Sequence, residues 1–233
     1  MHPEIFSIGN FVISYYGLMV ATGVLVGLLI AQRLAFSAGI DGNKVFDLGI
    51  MLVIAAIIGA RFFYIILNWK DFLSSPMDYI FSRSGFVFLG GFIGALAFGI
   101  PYAIHKKLHL WDLADIFVTG LAFGHAVGRQ GCLLNGCCYG KEICETSFFA
   151  TRFMTIPGWH IPTQLFESMG EFIIFAILLI VFPKRKFKGE NFIIYLIIYG
   201  ILRFILEFFR GDYQHLYVWG LTFSQLIIII FVP

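Results

Sequence analysis

Residues 111–140 read WDLADIFVTGLAFGHAVGRQGCLLNGCCYG, and this stretch decides how the chain is to be understood. Its first part is long and apolar enough to cross a bilayer, which takes roughly 17–25 residues. Its end is chemically different. From Gly128 to Gly140 it holds Arg129, three of the four cysteines and four glycines within thirteen residues. An arginine close to hydrocarbon is costly and usually functional. Glycine lets a backbone approach a ligand closely. A polar ligand is therefore expected at the end of a membrane helix.

The rest of the chain fits that reading. Of its 233 residues, 59% are hydrophobic and 13% charged, with mean hydropathy +0.87. Soluble proteins are about one quarter charged. The expected class is a polytopic membrane protein forming one integral membrane domain over residues 1–233, with a non-membrane segment at about 135–165. Net charge is +2, from 16 basic and 14 acidic residues, and this balance points to no nucleic acid. The N-terminal Met1-His2-Pro3-Glu4 lacks a basic n-region, so the first apolar run is expected to stay as a membrane helix. Cys132, Cys137, Cys138 and Cys144 do not form the paired C-x-x-C motifs of a zinc ribbon. A disulfide such as Cys138–Cys144 or Cys132–Cys137 stays open in an oxidising compartment.

Seven spans are expected, at about 11–32, 46–68, 86–105, 111–134, 166–183, 190–209 and 217–232. They are too long for barrel strands, so the expected fold is all-α, a bundle of about seven transmembrane helices. The loops after spans one, three and five hold eight basic residues, including Lys184-Arg185-Lys186, and the opposite side holds five. That bias places the N-terminus outside. Trp69, Trp111, Trp159 and Trp219 lie near span ends, as interfacial anchors do.

With this orientation the polar intramembrane residues converge on the outer leaflet. Arg61, Arg129, Arg203, Glu207 and Arg210 fall in the outer parts of spans two, four and six. Tyr15 and Tyr16 begin span one, Gly90 and Gly91 span three, and Gln164 and Glu167 span five. Each intramembrane arginine costs ~2.5–3.5 kcal/mol on the insertion scale. The three inside spans, Arg61, Arg129 and Arg203, imply a shared anionic partner. Glu167 and Glu207 neutralise two, and a ligand phosphate suits the third. Tyr199, Arg203 and Glu207, at i, i+4 and i+8, share one helix face, and His125 lies one turn before Arg129. Taken singly, Arg203–Glu207 reads as a structural ion pair and Arg61 as a snorkelling side chain. Taken together, the set favours a ligand site. Gly90-Gly91-Phe92-Ile93-Gly94 suits close helix packing and ligand approach equally.

These segments resemble the bacterial phosphatidylglycerol–prolipoprotein diacylglyceryl transferase family over nearly the whole chain. Tyr15-Tyr16-Gly17-Leu18-Met19 is similar to its first-span motif, Gly59-Ala60-Arg61 to its Gly-Gly-Arg, and Phe88-Leu89-Gly90-Gly91 to its Phe-His-Gly-Gly. Gly128 to Gly140 resembles its signature Gly-Arg-x-Gly-Asn-x-x-Asn-Gly-Glu-x-x-Gly. His160-Ile161-Pro162-Thr163-Gln164-Leu165-Phe166-Glu167 is similar to its His-Pro-x-Gln-x-Tyr-Glu segment. Tyr199-Gly200, Arg203, Glu207 and Arg210 match its Tyr-Gly-x-x-Arg-x-x-x-Glu-x-x-Arg, and Ser224-Gln225 its last-span Gly-Gln.

The resemblance implies transfer of diacylglyceryl from phosphatidylglycerol to the lipobox cysteine of a prolipoprotein signal peptide. The site would face the outer leaflet of the bacterial cytoplasmic (inner) membrane. It implies Arg129, Arg203, Tyr199 and Glu207 as catalytic residues. Tyr16, Arg61, Gly90, Gly91, Asn135, Gly140, Gln164, Glu167 and Arg210 would bind substrate. No metal or organic cofactor is implied.

This chain departs from the pattern at three positions. Leu89 replaces a histidine, Cys132 an asparagine and Cys137 a glutamate. Two other functions therefore stay open: a diverged lipid-headgroup transferase with another acceptor, and a non-enzymatic lipid-binding or thiol-redox membrane protein. The cysteines read as packing or disulfide residues before catalytic ones. Metal ligation by Cys132, Cys137, Cys138 and His125 is a weaker alternative, since no assembled four-ligand spacing supports it.

Overall fold

Apolar runs of this length fold as helices because a helix satisfies its own backbone hydrogen bonds in hydrocarbon. The computed structural model describes residues 4–8, 11–81, 85–211, 217–218, 221–222 and 225. A hairpin comes first, β1 (Glu4–Ile8) antiparallel to β2 (Phe11–Ser14). Next come α1 (Tyr15–Ser37), α2 (Gly42–Leu67), the short α3 (Trp69–Ser74) and α4 (Pro76–Phe81), and then α5 (Phe88–His105). They are followed by α6 (Leu110–Asn135), α7 (Thr163–Val181) with a 3₁₀ turn at Phe182–Lys184, and α8 (Glu190–Glu207). A second small hairpin pairs β3 (Tyr217–Val218) with β4 (Leu221–Thr222). Apart from the hairpins the fold is all-α.

The expected seven spans become five among the described residues. Tyr15–Ser37, Gly42–Leu67, Phe88–His105, Leu110–Asn135 and Thr163–Lys184 are long and apolar enough to cross a membrane, so this is a multi-pass membrane protein. The expected sixth span is α8. It has 18 residues and carries Glu190, Arg203 and Glu207, which leaves it too polar to join the five. The expected seventh span, 217–232, lies largely outside the described residues. The first span starts at Tyr15 rather than at residue 11, because β-branched Val12 and Ile13 extend β2 and pair with β1.

The fold divides into two compact units, within α1 and within α6. One takes in the described residues 32–113, and the other those up to 31 and from 114 onward. In the 32–113 unit, α2 and α5 pack antiparallel along a seam of small residues. A Cβ added at Gly94 would meet the Ala55 carbonyl at 2.7 Å and Gly59 Cα at 3.0 Å. One added at Gly91 would meet the Ala56 carbonyl at 3.1 Å. Small residues four apart let membrane helices approach this closely. Ile54, Ile57 and Ile58 lie more than half exposed on another face of α2, as suits contact with lipid.

The second unit uses the same device between α1 and α6. A Cβ on Gly23 would lie 2.8 Å from the Gly124 carbonyl, and one on Gly27 would lie 2.7 Å from the Gly120 carbonyl. Gly27→Leu therefore should overpack the seam and destabilise the protein by about 1–3 kcal/mol. An unchanged unfolding midpoint in detergent would refute that. Behind the seam, Val118, Ala122, Ile174, Leu178 and Tyr195 form a buried cluster of α6, α7 and α8.

Residues 136–162 connect α6 to α7 without helix. Isolated strand-like bridges hold them: Thr151 and His160 exchange backbone hydrogen bonds at 3.0 and 2.9 Å, and Ile143 N–H donates to the Trp159 carbonyl at 2.7 Å.

Candidate active site

Helices α6, α7 and α8 bring their polar residues together in the second unit. Glu167 of α7 is the centre. It is 2% exposed, and its Oε1 lies 2.9 Å from Arg129 Nη2 of α6. Its Oε2 lies 4.0 Å from Arg203 Nη1 of α8. Arg203 Nη2 in turn pairs with Glu207 Oε2 at 2.8 Å, one turn along the same helix. Three helices are thus tied through one carboxylate. The helical spacing explains why: Arg203 and Glu207 are i, i+4, and so share a face.

His125 extends the network. Its Nδ1 lies 2.7 Å from Glu171 Oε1, while its Nε2 accepts from Arg129 Nε at 3.4 Å. Tyr195 Oη donates to Glu171 Oε1 at 3.5 Å, and its ring stacks on that of Tyr199 with centroids 5.4 Å apart. Tyr199 also meets the His125 ring edge-on at 5.4 Å. Glu171 is fully buried and belongs to this site, but sequence reasoning stopped at Glu167. The signal was present, because Gln164, Glu167 and Glu171 are spaced i, i+3 and i+7 on one face of an apolar helix.

The charges here sum differently from the expectation. Two guanidinium groups, of Arg129 and Arg203, meet the Glu167 and Glu207 carboxylates, and a third carboxylate, Glu171, meets His125. The third expected arginine, Arg61, belongs to the other unit. There its Nη1 donates to the Gly85 carbonyl at 3.1 Å, and its guanidinium lies over Phe86 and Tyr64. Charge counting alone therefore does not demand an anion. Among the donors one lacks a full complement: Arg203 Nη1 is buried and makes no hydrogen bond among the described residues, as is true of the acceptors Gln164 Oε1 and Glu171 Oε2 nearby. A buried unsatisfied donor is costly and usually has a reason.

The segment after α6 closes against α7 and α8. Gln164, fully buried, donates from Nε2 to the Cys137 carbonyl at 2.6 Å, and Thr163 Oγ1 donates to the Cys138 carbonyl at 2.9 Å. Gly140 N–H donates to the Ile161 carbonyl at 2.8 Å, and Gly140 bridges to the buried Arg210. A side chain at Gly140 would strike the Phe209 carbonyl at 2.7 Å. Asn135 ends α6. Tyr16, 42% exposed at the start of α1, lies against Gly131, where a Cβ would come within 3.4 Å of Tyr16 Cα. Gly90 and Gly91 are buried in the α2–α5 seam of the other unit, and the neighbouring Leu89 is 58% exposed.

The Sγ atoms of Cys132, Cys137 and Cys138 lie within 4.8 Å of one another. Hydrogen bonds from the Cys132 and Cys138 thiols pull the Cys137 thiol well below the ordinary cysteine range. Cys144 is exposed and pairs instead with Thr146 Oγ1 at 3.3 Å.

Known proteins share this arrangement of sequence. The sequence model of the prolipoprotein diacylglyceryl transferase family matches residues 3–233. The chain is 36% identical over 225 residues to a phosphatidylglycerol–prolipoprotein diacylglyceryl transferase of Finegoldia magna, covering 95% of this chain and 88% of that one. It is 37% identical over 203 residues to the second such transferase of Clostridium perfringens, covering 84% and 78%. With that of Bacillus cytotoxicus it is 36% identical over 214 residues, covering 88% and 79%. A match over nearly the full length, at this identity, means that the chain belongs to the prolipoprotein diacylglyceryl transferase family.

Proposed function

We propose that this protein transfers diacylglyceryl from phosphatidylglycerol to the lipobox cysteine thiol of a prolipoprotein, at the outer leaflet of the bacterial cytoplasmic membrane. The cysteine sulfur forms a C–S bond to the glycerol carbon that carries the phosphate. The C–O bond to that phosphate breaks, and its electron pair leaves on glycerol phosphate. The thiol proton is lost, so the products are a thioether and glycerol phosphate. No electron is gained or lost by either substrate, so the step needs no redox cofactor.

The observation that carries this reading is the buried Arg203 Nη1, which makes no hydrogen bond among the described residues. A departing phosphate oxygen supplies the acceptor it lacks, and the charge that develops there makes the bond strongest in the transition state. Arg129 serves the same phosphate from α6. Glu167 and Glu207 fix the two guanidinium groups, and Tyr199 packs beside His125 to orient the pair. Tyr16, Asn135, Gly140, Gln164 and Arg210 form the polar wall against which the substrates lie. The whole chain acts as one membrane domain.

A second reading, transfer to a different acceptor, rests on Leu89, which cannot move a proton. Expression in a bacterium depleted of its own transferase separates the two. Restored lipidation of prolipoproteins is expected. A well-inserted protein that restores none excludes the first reading, and a new diacylglyceryl adduct in the lipid extract would then support the second.

A further inference from the structure

The three clustered thiols take no part in the transfer just described. Their placement is not a by-product of helix geometry. Cys132 sits in the last turn of α6, and the chain then reverses through Gly136 at φ +69° and Cys138 at φ +65°. A non-glycine residue at positive φ is uncommon and must be held there by its surroundings. Three outside donors hold this reversal. Thr155 Oγ1 donates to the Gly136 carbonyl at 2.7 Å, Gln164 Nε2 to that of Cys137, and Thr163 Oγ1 to that of Cys138. The result turns Cys137 and Cys138 back toward Cys132, with their own sulfurs 3.7 Å apart.

We propose that Cys132, Cys137 and Cys138 form a three-sulfur binding site for a soft, thiophilic cation of the zinc, cadmium or copper(I) class. A zinc–sulfur bond of about 2.3 Å sets ligand sulfurs about 3.8–4.0 Å apart. Sulfurs within 4.8 Å of one another reach that spacing by small side-chain rotations. Sulfur-only ligation selects soft cations over magnesium or calcium. His125 does not complete a four-ligand set, because its Nδ1 is engaged with Glu171 and its Nε2 with Arg129. The fourth position is left to water or an exogenous ligand. All three cysteines are partly exposed, so an ion has access. The carbonyl clamps from Thr155, Gln164 and Thr163 preform the turn, as outer-shell partners do in metal sites.

The full chain in detergent, reduced with a phosphine, is titrated with cadmium chloride while sulfur-to-cadmium charge-transfer absorption is followed. Saturation at one ion per chain is expected. Cys137→Ser and Cys138→Ser should each weaken binding by about 100-fold or more, because losing an outer-shell partner alone costs about 10–100-fold. Cys144→Ser should bind like the parent. A second measurement needs no variant. Bound cadmium should shield Cys132, Cys137 and Cys138 of the parent chain from maleimide and leave Cys144 reactive. Absence of the absorption, or unchanged labelling of the three cysteines, overturns the site. So does cadmium binding that survives in both serine variants.

Discussion

Arg203→Ala should lower the rate of prolipoprotein lipidation by about 10²–10³-fold, the usual cost of deleting one donor to a developing oxyanion. The side chain is placed for that role by two carboxylates. Glu207 grips Nη2 at 2.8 Å, and Glu167 stands 4.0 Å from Nη1 without a hydrogen bond to it. Arg203→Lys should recover only a small part of the rate, because a point charge cannot replace a planar fork held at one end and free at the other. The structural alternative is that Arg203 only neutralises Glu207. Deleting one partner of a buried pair strands the other charge and costs about 3–5 kcal/mol, so Arg203→Ala alone mixes folding with chemistry. The double variant Arg203→Ala, Glu207→Ala separates them. It should regain the parent's unfolding midpoint in part and still fail to lipidate a prolipoprotein peptide. Full activity in either variant, with purified protein in detergent, removes the phosphate assignment.

Much of this arrangement was legible in the sequence because hydrocarbon permits so few solutions. A run such as Val53 to Leu67 has one stable state there, so the existence of α2, α5, α6 and α7 followed from length and apolarity alone. Boundaries were harder. Whether residues 11–14 belong to α1 depends on their pairing with Glu4–Ile8, a contact that no helical period announces. The site was legible where polar residues recur at helical spacing, as at Tyr199, Arg203 and Glu207. Glu171 is less legible because it lies one turn deeper in α7 than Glu167, away from the span end where the other polar residues gather. The orphaned donor on Arg203 has no sequence signal at all, since it exists only through the distance left between α7 and α8. Nor does composition tell that Arg61 is held by Gly85 and two rings within its own unit. The thiol cluster stayed hidden for a related reason: a cation site is recognised by ligand spacing, and here a backbone reversal supplies what the spacing does not.

Asp115→Ala should be the most destabilising single substitution outside the arginine network, at about 3–5 kcal/mol. Asp115 is fully buried in α6, beside the buried polar residues Thr119 and Asn191. Its Oδ2 accepts from Gly189 N–H at 2.8 Å, and its Oδ1 accepts from Phe192 N–H at 3.0 Å. Those are the N-cap and third residues of α8. A capping box fills these two donors with side chains from the helix's own first turn. Gly189, at φ +96°, has no side chain to offer, so one carboxylate from another helix does both tasks. The negative charge also faces the positive end of the α8 dipole. Arg185 Nη1 lies 3.3 Å from Oδ2 and neutralises it. Removing the carboxylate therefore takes the acceptor from two helix-terminal donors and unbalances a cation in one step. Asp115→Asn should cost less, because one amide oxygen still accepts one bond while its NH₂ opposes the other donor. Pairing Asp115→Ala with Arg185→Met should restore only the electrostatic part. Detergent-to-SDS unfolding midpoints in the order parent, Asn variant, double variant, Ala variant are expected. An Ala variant as stable as the parent would mean that α8 is held by its apolar face alone. The position of Arg203, nearly four turns along that helix, would then owe nothing to α6.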